Sequence, residues 1–109
     1  MSDDVLQALS QLLTERKAAD PQSSYVAGLH AEGIDRILRK LGEECTETIV
    51  AAKNGEQSAI IYETADLWFH SLVMLSHCGL SADDVLTELA RRSGRSGLAE
   101  KAARQSTGE

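Results

Sequence analysis

A chain of 109 residues with 42% hydrophobic content is sized for a single domain, 1–109, with one modest core. Its formal net charge of -6 argues against a nucleic-acid backbone as partner, because such binding rests on clustered Lys and Arg that release counterions. No apolar run is long enough to span a bilayer and no basic start leads into an apolar leader, so no membrane partner is expected and the cytoplasm is the expected compartment.

With four aromatic residues, one proline and many straight-chain helix formers, the composition predicts an all-α fold. The first helix is expected from about Asp3 to Ala19, where Val5, Leu6, Leu9, Leu12 and Leu13 recur at helical spacing and Asp3 and Asp4 suit the positive end. Asp20-Pro21-Gln22-Ser23-Ser24 breaks that pattern, and the stretch to Gly33 reads as a surface loop. A second helix carries an apolar stripe of Ile34, Ile37, Leu38, Leu41, Cys45, Thr48, Ile49 and Ala52, with Asn54-Gly55 as its left-handed stop. The third, from about Ser58 to Cys78, is apolar on almost all sides and is therefore expected to be buried. Ser81 and Asp84 resemble a capping box opening a fourth helix that runs to about Arg92, and 98–109 reads as a flexible basic tail. Cys45 and Cys78 lack a CxxC spacing and are expected to be small packing residues.

Two acidic pairs stand out. Glu44 with Glu47, and Glu63 with Asp66, are each spaced three apart, so each pair shares a helix face, and 15 residues separate the pairs. One such pair is ordinary on a solvated surface. Two pairs brought together repel unless a cation sits between them, and Asp66 interrupts the most apolar part of the chain, where an uncompensated carboxylate costs several kcal/mol, roughly. An all-oxygen donor set selects a hard ion: Mg2+, with Mn2+ as substitute. His70, one turn beyond Asp66, suits a hydrogen bond that orients a carboxylate better than it suits zinc, and His30 and His77 have no ligand-spaced partner. Lys40 either pairs with Glu44 or holds a phosphate beside the ion; Lys53 and Asn54 are open to the same substrate role or to simple capping. Glu43 points away from the core on a helical wheel.

The runs Lys40 to Thr48, Ala51 to Asn54 and Tyr62 to His70, with their ExxE and ExxD helices, resemble the MazG-like all-α nucleotide pyrophosphohydrolases. Within that superfamily the chain is most similar to the phosphoribosyl-ATP pyrophosphatase family of histidine biosynthesis, through Leu13 to Lys17 with Ser24-Tyr25, and through Ser96 to Lys101. The resemblance implies a four- to five-helix bundle. It implies Glu44, Glu47, Glu63 and Asp66 as magnesium ligands and Lys40, Lys53 and Asn54 as contacts to a nucleotide substrate; Glu43, adjacent and acidic, is a candidate either to support the ligands from behind or to act as a water-positioning base. The implied reaction is hydrolysis of 1-(5-phosphoribosyl)-ATP to the AMP derivative and pyrophosphate. A housecleaning hydrolase of nucleoside triphosphates and a helical interaction module are the other readings. The apolar circumference of the third helix, in so short a chain, leads to an expected homo-oligomer, a dimer or a dimer of dimers.

Overall fold

The structure, a computed structural model, describes residues 2–94. The tail at 98–109 and the Ser96 to Lys101 segment lie outside the described residues. Five helices follow one another: α1 (Ser2–Arg16), α2 (Tyr25–Glu32), α3 (Ile34–Asn54), α4 (Gln57–His77) and α5 (Ala82–Ser93), with no strand among the described residues. The all-α expectation holds.

The longest elements, α3 and α4, form an antiparallel hairpin whose turn is written in the sequence. Gly55 takes the left-handed conformation (φ 77°) that ends α3, and its N–H donates to the Ala51 carbonyl. The Glu56 carboxylate then accepts from the N–H groups of Ser58 and Ala59, both at 3.1 Å, and starts α4. Ser81 caps α5 in the expected box, its N–H donating to the Asp84 carboxylate at 2.9 Å. α1 lies against α4 and α5, while α2 lies against α3. Leu13, Val26, Leu29, Ile37, Leu72, Val73 and Ala82 are buried together, so α1 to α5 share one core.

Three expectations need correction. α1 ends at Arg16 and the chain turns over 17–19, rather than remaining helical to Ala19. The expected loop up to Gly33 contains α2, whose cap is Ser24: its hydroxyl accepts from the Ala27 N–H at 3.2 Å. With eight residues and a glycine inside, α2 is too short to show a period. Gly28 faces the Pro21 carbonyl oxygen, which a Cβ there would meet in van der Waals contact at 3.4 Å. Thirdly, α4 is not enclosed. Ile61, Tyr62 and Trp68 are exposed, as are Ile34, Leu38 and Ile49 of the α3 stripe, and both cysteines. The buried line on α3 runs instead through Ile37, Glu44 and Ala51, seven residues apart.

Candidate metal centre

The hairpin brings the acidic helices face to face. Thr48 pins their register, because its hydroxyl lies 2.8 Å from the Glu44 carbonyl on its own helix and 3.1 Å from the Glu63 carbonyl on α4. One proton is shared between two carbonyl acceptors, and the carbonyls belong to two of the acidic residues. Sequence periodicity assigned Thr48 only to the apolar stripe.

Glu44, Glu63 and Asp66 each offer a carboxylate oxygen, all within 4.8 Å of one another. Glu44 is only 2% exposed, so its charge is not solvated by bulk water. Burial pushes its carboxyl up to about 7, helped by a hydrogen bond with Glu47 and by the charges of Asp66 and Glu47, and opposed by Lys40. Glu44 Oε2 and Glu63 Oε1 are buried without a hydrogen-bond partner. Two orphaned acceptors in one acidic cluster lack a positive donor or ion, which is the need a hard cation fills. Glu47 is exposed and adjoins this trio through Glu44 rather than joining it.

Lys40, one turn before Glu44, brings Nζ to 3.5 Å from Glu44 and 3.7 Å from Glu43. Burial works against its charge, but Tyr25, Glu44 and Glu43 outweigh it and raise its pKa. Glu43 is half-exposed, as the helical wheel predicts, yet it shares Lys40 with Glu44. Lys53 and Asn54 stand exposed at the end of α3, and no hydrogen bond or ion pair joins them to the cluster among the described residues.

Behind Asp66 lies a polar relay from α2. The His70 Nδ1–H donates to the Asp66 carbonyl at 2.8 Å, which leaves Nε2 to accept from the Tyr25 hydroxyl at 2.9 Å. His70 thus ties Tyr25 to the acidic helix, as a hydrogen-bonded histidine rather than a zinc ligand. Tyr25 feels Lys40, Arg36, Glu44 and Asp66 together, and burial raises its pKa. Tyr25 and Arg36 were not singled out from the residues themselves; the Ser-Tyr pair after the proline was the one available signal.

The sequence profile of the phosphoribosyl-ATP pyrophosphohydrolase family matches residues 6–93. The chain belongs to this family. A phosphoribosyl-ATP pyrophosphatase of Methylococcus capsulatus is 57% identical over 102 residues, covering 94% of this chain and 97% of the relative. Proteins of the same name from Geotalea daltonii (54%, covering 95% of this chain and 98% of the relative) and Neisseria meningitidis (55%, 95% and 97%) are similar along nearly their whole length. In this pyrophosphohydrolase the family match thus takes in the acidic trio, Lys40 and the Tyr25 relay. No described helix is long and apolar enough to cross a membrane.

Proposed function

We propose that the chain hydrolyses 1-(5-phosphoribosyl)-ATP to 1-(5-phosphoribosyl)-AMP and pyrophosphate, an early step of L-histidine biosynthesis. The observation that carries this reading is the trio of buried Glu44 with half-buried Glu63 and Asp66 inside a chain of the phosphoribosyl-ATP pyrophosphohydrolase family. The orphaned oxygens fit Mg2+, with Mn2+ as its substitute, held by Glu44, Glu63 and Asp66, with Glu47 as the fourth carboxylate. When bound, such an ion neutralises phosphate charge and makes water a better nucleophile.

The chain's own residues do the rest by position and charge. Lys40, held beside Glu44, receives the phosphates next to the ion. Glu43 orients the attacking water from the half-exposed side of Lys40. Lys53 and Asn54 contact the substrate from the far end of α3. Attack at the α phosphorus breaks the bond to the bridging oxygen, and pyrophosphate leaves with that electron pair. The housecleaning alternative is disfavoured by the shared name of the full-length relatives, and the solvated-module alternative by the burial of Glu44.

The protein acts as a homo-oligomer in this reading, because the exposed apolar residues of α3 and α4 form faces a second subunit would cover. Hydrolysis of phosphoribosyl-ATP in water enriched in heavy oxygen tests the reaction: label is expected in phosphoribosyl-AMP, with pyrophosphate as the other product. Orthophosphate as first product, or equal use of plain ATP, would overturn it.

A further inference from the structure

Beside the acidic cluster, on the α2 side, the structure has an open polar cleft of about 350 Å³, lined among others by Ser23, Ser24, Tyr25, Gly28, Glu32 and Arg36. Tyr25 belongs to both regions: it borders the cleft and is hydrogen-bonded through His70 to the Asp66 turn. Arg36 precedes Glu44 by eight residues on α3, which is about 12 Å along a helix axis. Lys40 lies midway, so two cations, each beside a carboxylate, stand along α3 between the trio and the cleft. Building on the reaction proposed above, we propose that this cleft is the specificity subsite for the far end of the substrate, with Arg36 gripping the 5-phosphate of the second ribose and Tyr25 the ribose itself.

The chemistry of each group supports its role. A phosphomonoester is a dianion rich in acceptors, and a guanidinium is the side chain that grips it with paired N–H donors. Among the described residues the partner of Arg36 is Glu32, through Nε at a loose 3.6 Å, with Arg36 only about one-third exposed (32%). Its terminal nitrogens remain for a ligand. The Tyr25 hydroxyl donates its hydrogen to His70, so what it has left for a ligand is acceptor capacity, which suits a ribose hydroxyl and not a phosphate oxygen. Trio and cleft lie about two helical turns apart along α3, so a ligand that reaches both has its reacting phosphate at one end and the 5-phosphate at the other. A plain nucleoside triphosphate reaches the trio but leaves Arg36 unused. The substrate's second phosphate is thereby recognised away from the reacting bond.

The test compares phosphoribosyl-ATP with the same nucleotide lacking the ribose 5-phosphate, for wild type, Arg36→Met, Glu32→Gln and Tyr25→Phe, each first checked for an unchanged melting transition. Loss of charge-assisted hydrogen bonds should lower kcat/KM of Arg36→Met on phosphoribosyl-ATP by about tenfold to a hundredfold, while the dephosphorylated nucleotide loses less than about twofold, since it makes no such bond. Glu32→Gln should raise affinity for the phosphorylated substrate alone, and Tyr25→Phe should raise KM for both. Calorimetric binding of phosphoribosyl-AMP in chelator supplies a readout that needs no turnover, and Arg36→Met should weaken it. Hydrolysis of phosphoribosyl-ATP with equal losses on both nucleotides, or with none, would overturn the subsite and leave the reaction standing. Arg36-dependent binding of phosphoribosyl-AMP by a chain that hydrolyses neither nucleotide would overturn the reaction and leave the subsite standing.

Discussion

Glu44 holds a carboxyl group out of water next to two others, and in the absence of a cation the fold accommodates it by keeping its proton to about pH 7. Removing charge there has opposite effects on function and on stability. With these carboxylates as the proposed cation ligands, Glu44→Gln, Glu63→Gln and Asp66→Asn are each expected to lower turnover by at least about a hundredfold. In chelator, Glu44→Gln should instead raise the melting temperature by roughly 4 °C or more, the effect of about 1 kcal/mol in a domain of this size. Calorimetry in EDTA beside assays in magnesium reads both. Glu44→Gln with full activity at limiting magnesium would place the site elsewhere. His30 gives the fold a different response to pH. It meets His77 through Nδ1 atoms 2.9 Å apart, and burial, His77 and Lys17 lower its pKa. The unfolded chain therefore takes up a proton near pH 6.5 that the folded chain refuses until lower pH. This part of the stability is fully present above about 6.5 and is lost as pH falls from there through the folded value. Denaturant midpoints measured across that window should slope upward with pH, and His30→Gln should flatten the slope.

Among the elements, the α3–α4 hairpin carries the acidic trio and α2 carries the tyrosine tied to it through His70, and single residues hold each in place. Gly33, the one residue between α2 and α3, has φ 100° and ψ 178°, a conformation essentially confined to glycine. Gly33→Ala should cost of order 1–3 kcal/mol and shift Tyr25 against His70, so urea titration and the KM for phosphoribosyl-ATP should change together. Thr48→Val keeps the shape but removes the hydroxyl that joins the Glu44 and Glu63 turns, and a loss of about 1 kcal/mol together with weaker magnesium binding is expected. A melt unchanged from wild type would show that the two helices find their register without it. These elements also show what was legible in the sequence. The Gly55 stop and the Ser81 box are local signals, and the structure carries both at the expected places, whereas of the ExxE and ExxD carboxylates it gathers Glu44, Glu63 and Asp66 and leaves Glu47 exposed beside them. α2 was not legible, because its stability comes from packing Val26 and Leu29 into the core rather than from an internal period. The buried line on α3 was misread for a related reason. Hydrophobic residues mark every face that needs covering, and sequence alone does not separate the face covered within the chain from one left for a partner.

For the whole molecule, that uncovered surface is the main consequence. Ile61, Tyr62 and Trp68 of α4 are 70%, 67% and 58% exposed, and a further apolar cleft of about 290 Å³ runs beside Trp68 between α4 and α5, lined by Leu72, Leu75, Val85 and Leu86. Burying a large apolar side chain is worth roughly 1.5–3 kcal/mol, which a domain of marginal stability gains by self-association. Light scattering at micromolar concentration should therefore find a dimer or a dimer of dimers, and Ile61→Asp should shift the population toward monomer. A wild type that stays monomeric would refute the expectation. Trp68 gives this prediction an optical form. It is the only tryptophan in the chain, and it stands on the face a partner would cover. Its emission should lie to the red in dilute protomers and move to the blue as subunits meet, so each molecule carries its own unlabelled gauge of association, readable at concentrations too low for scattering.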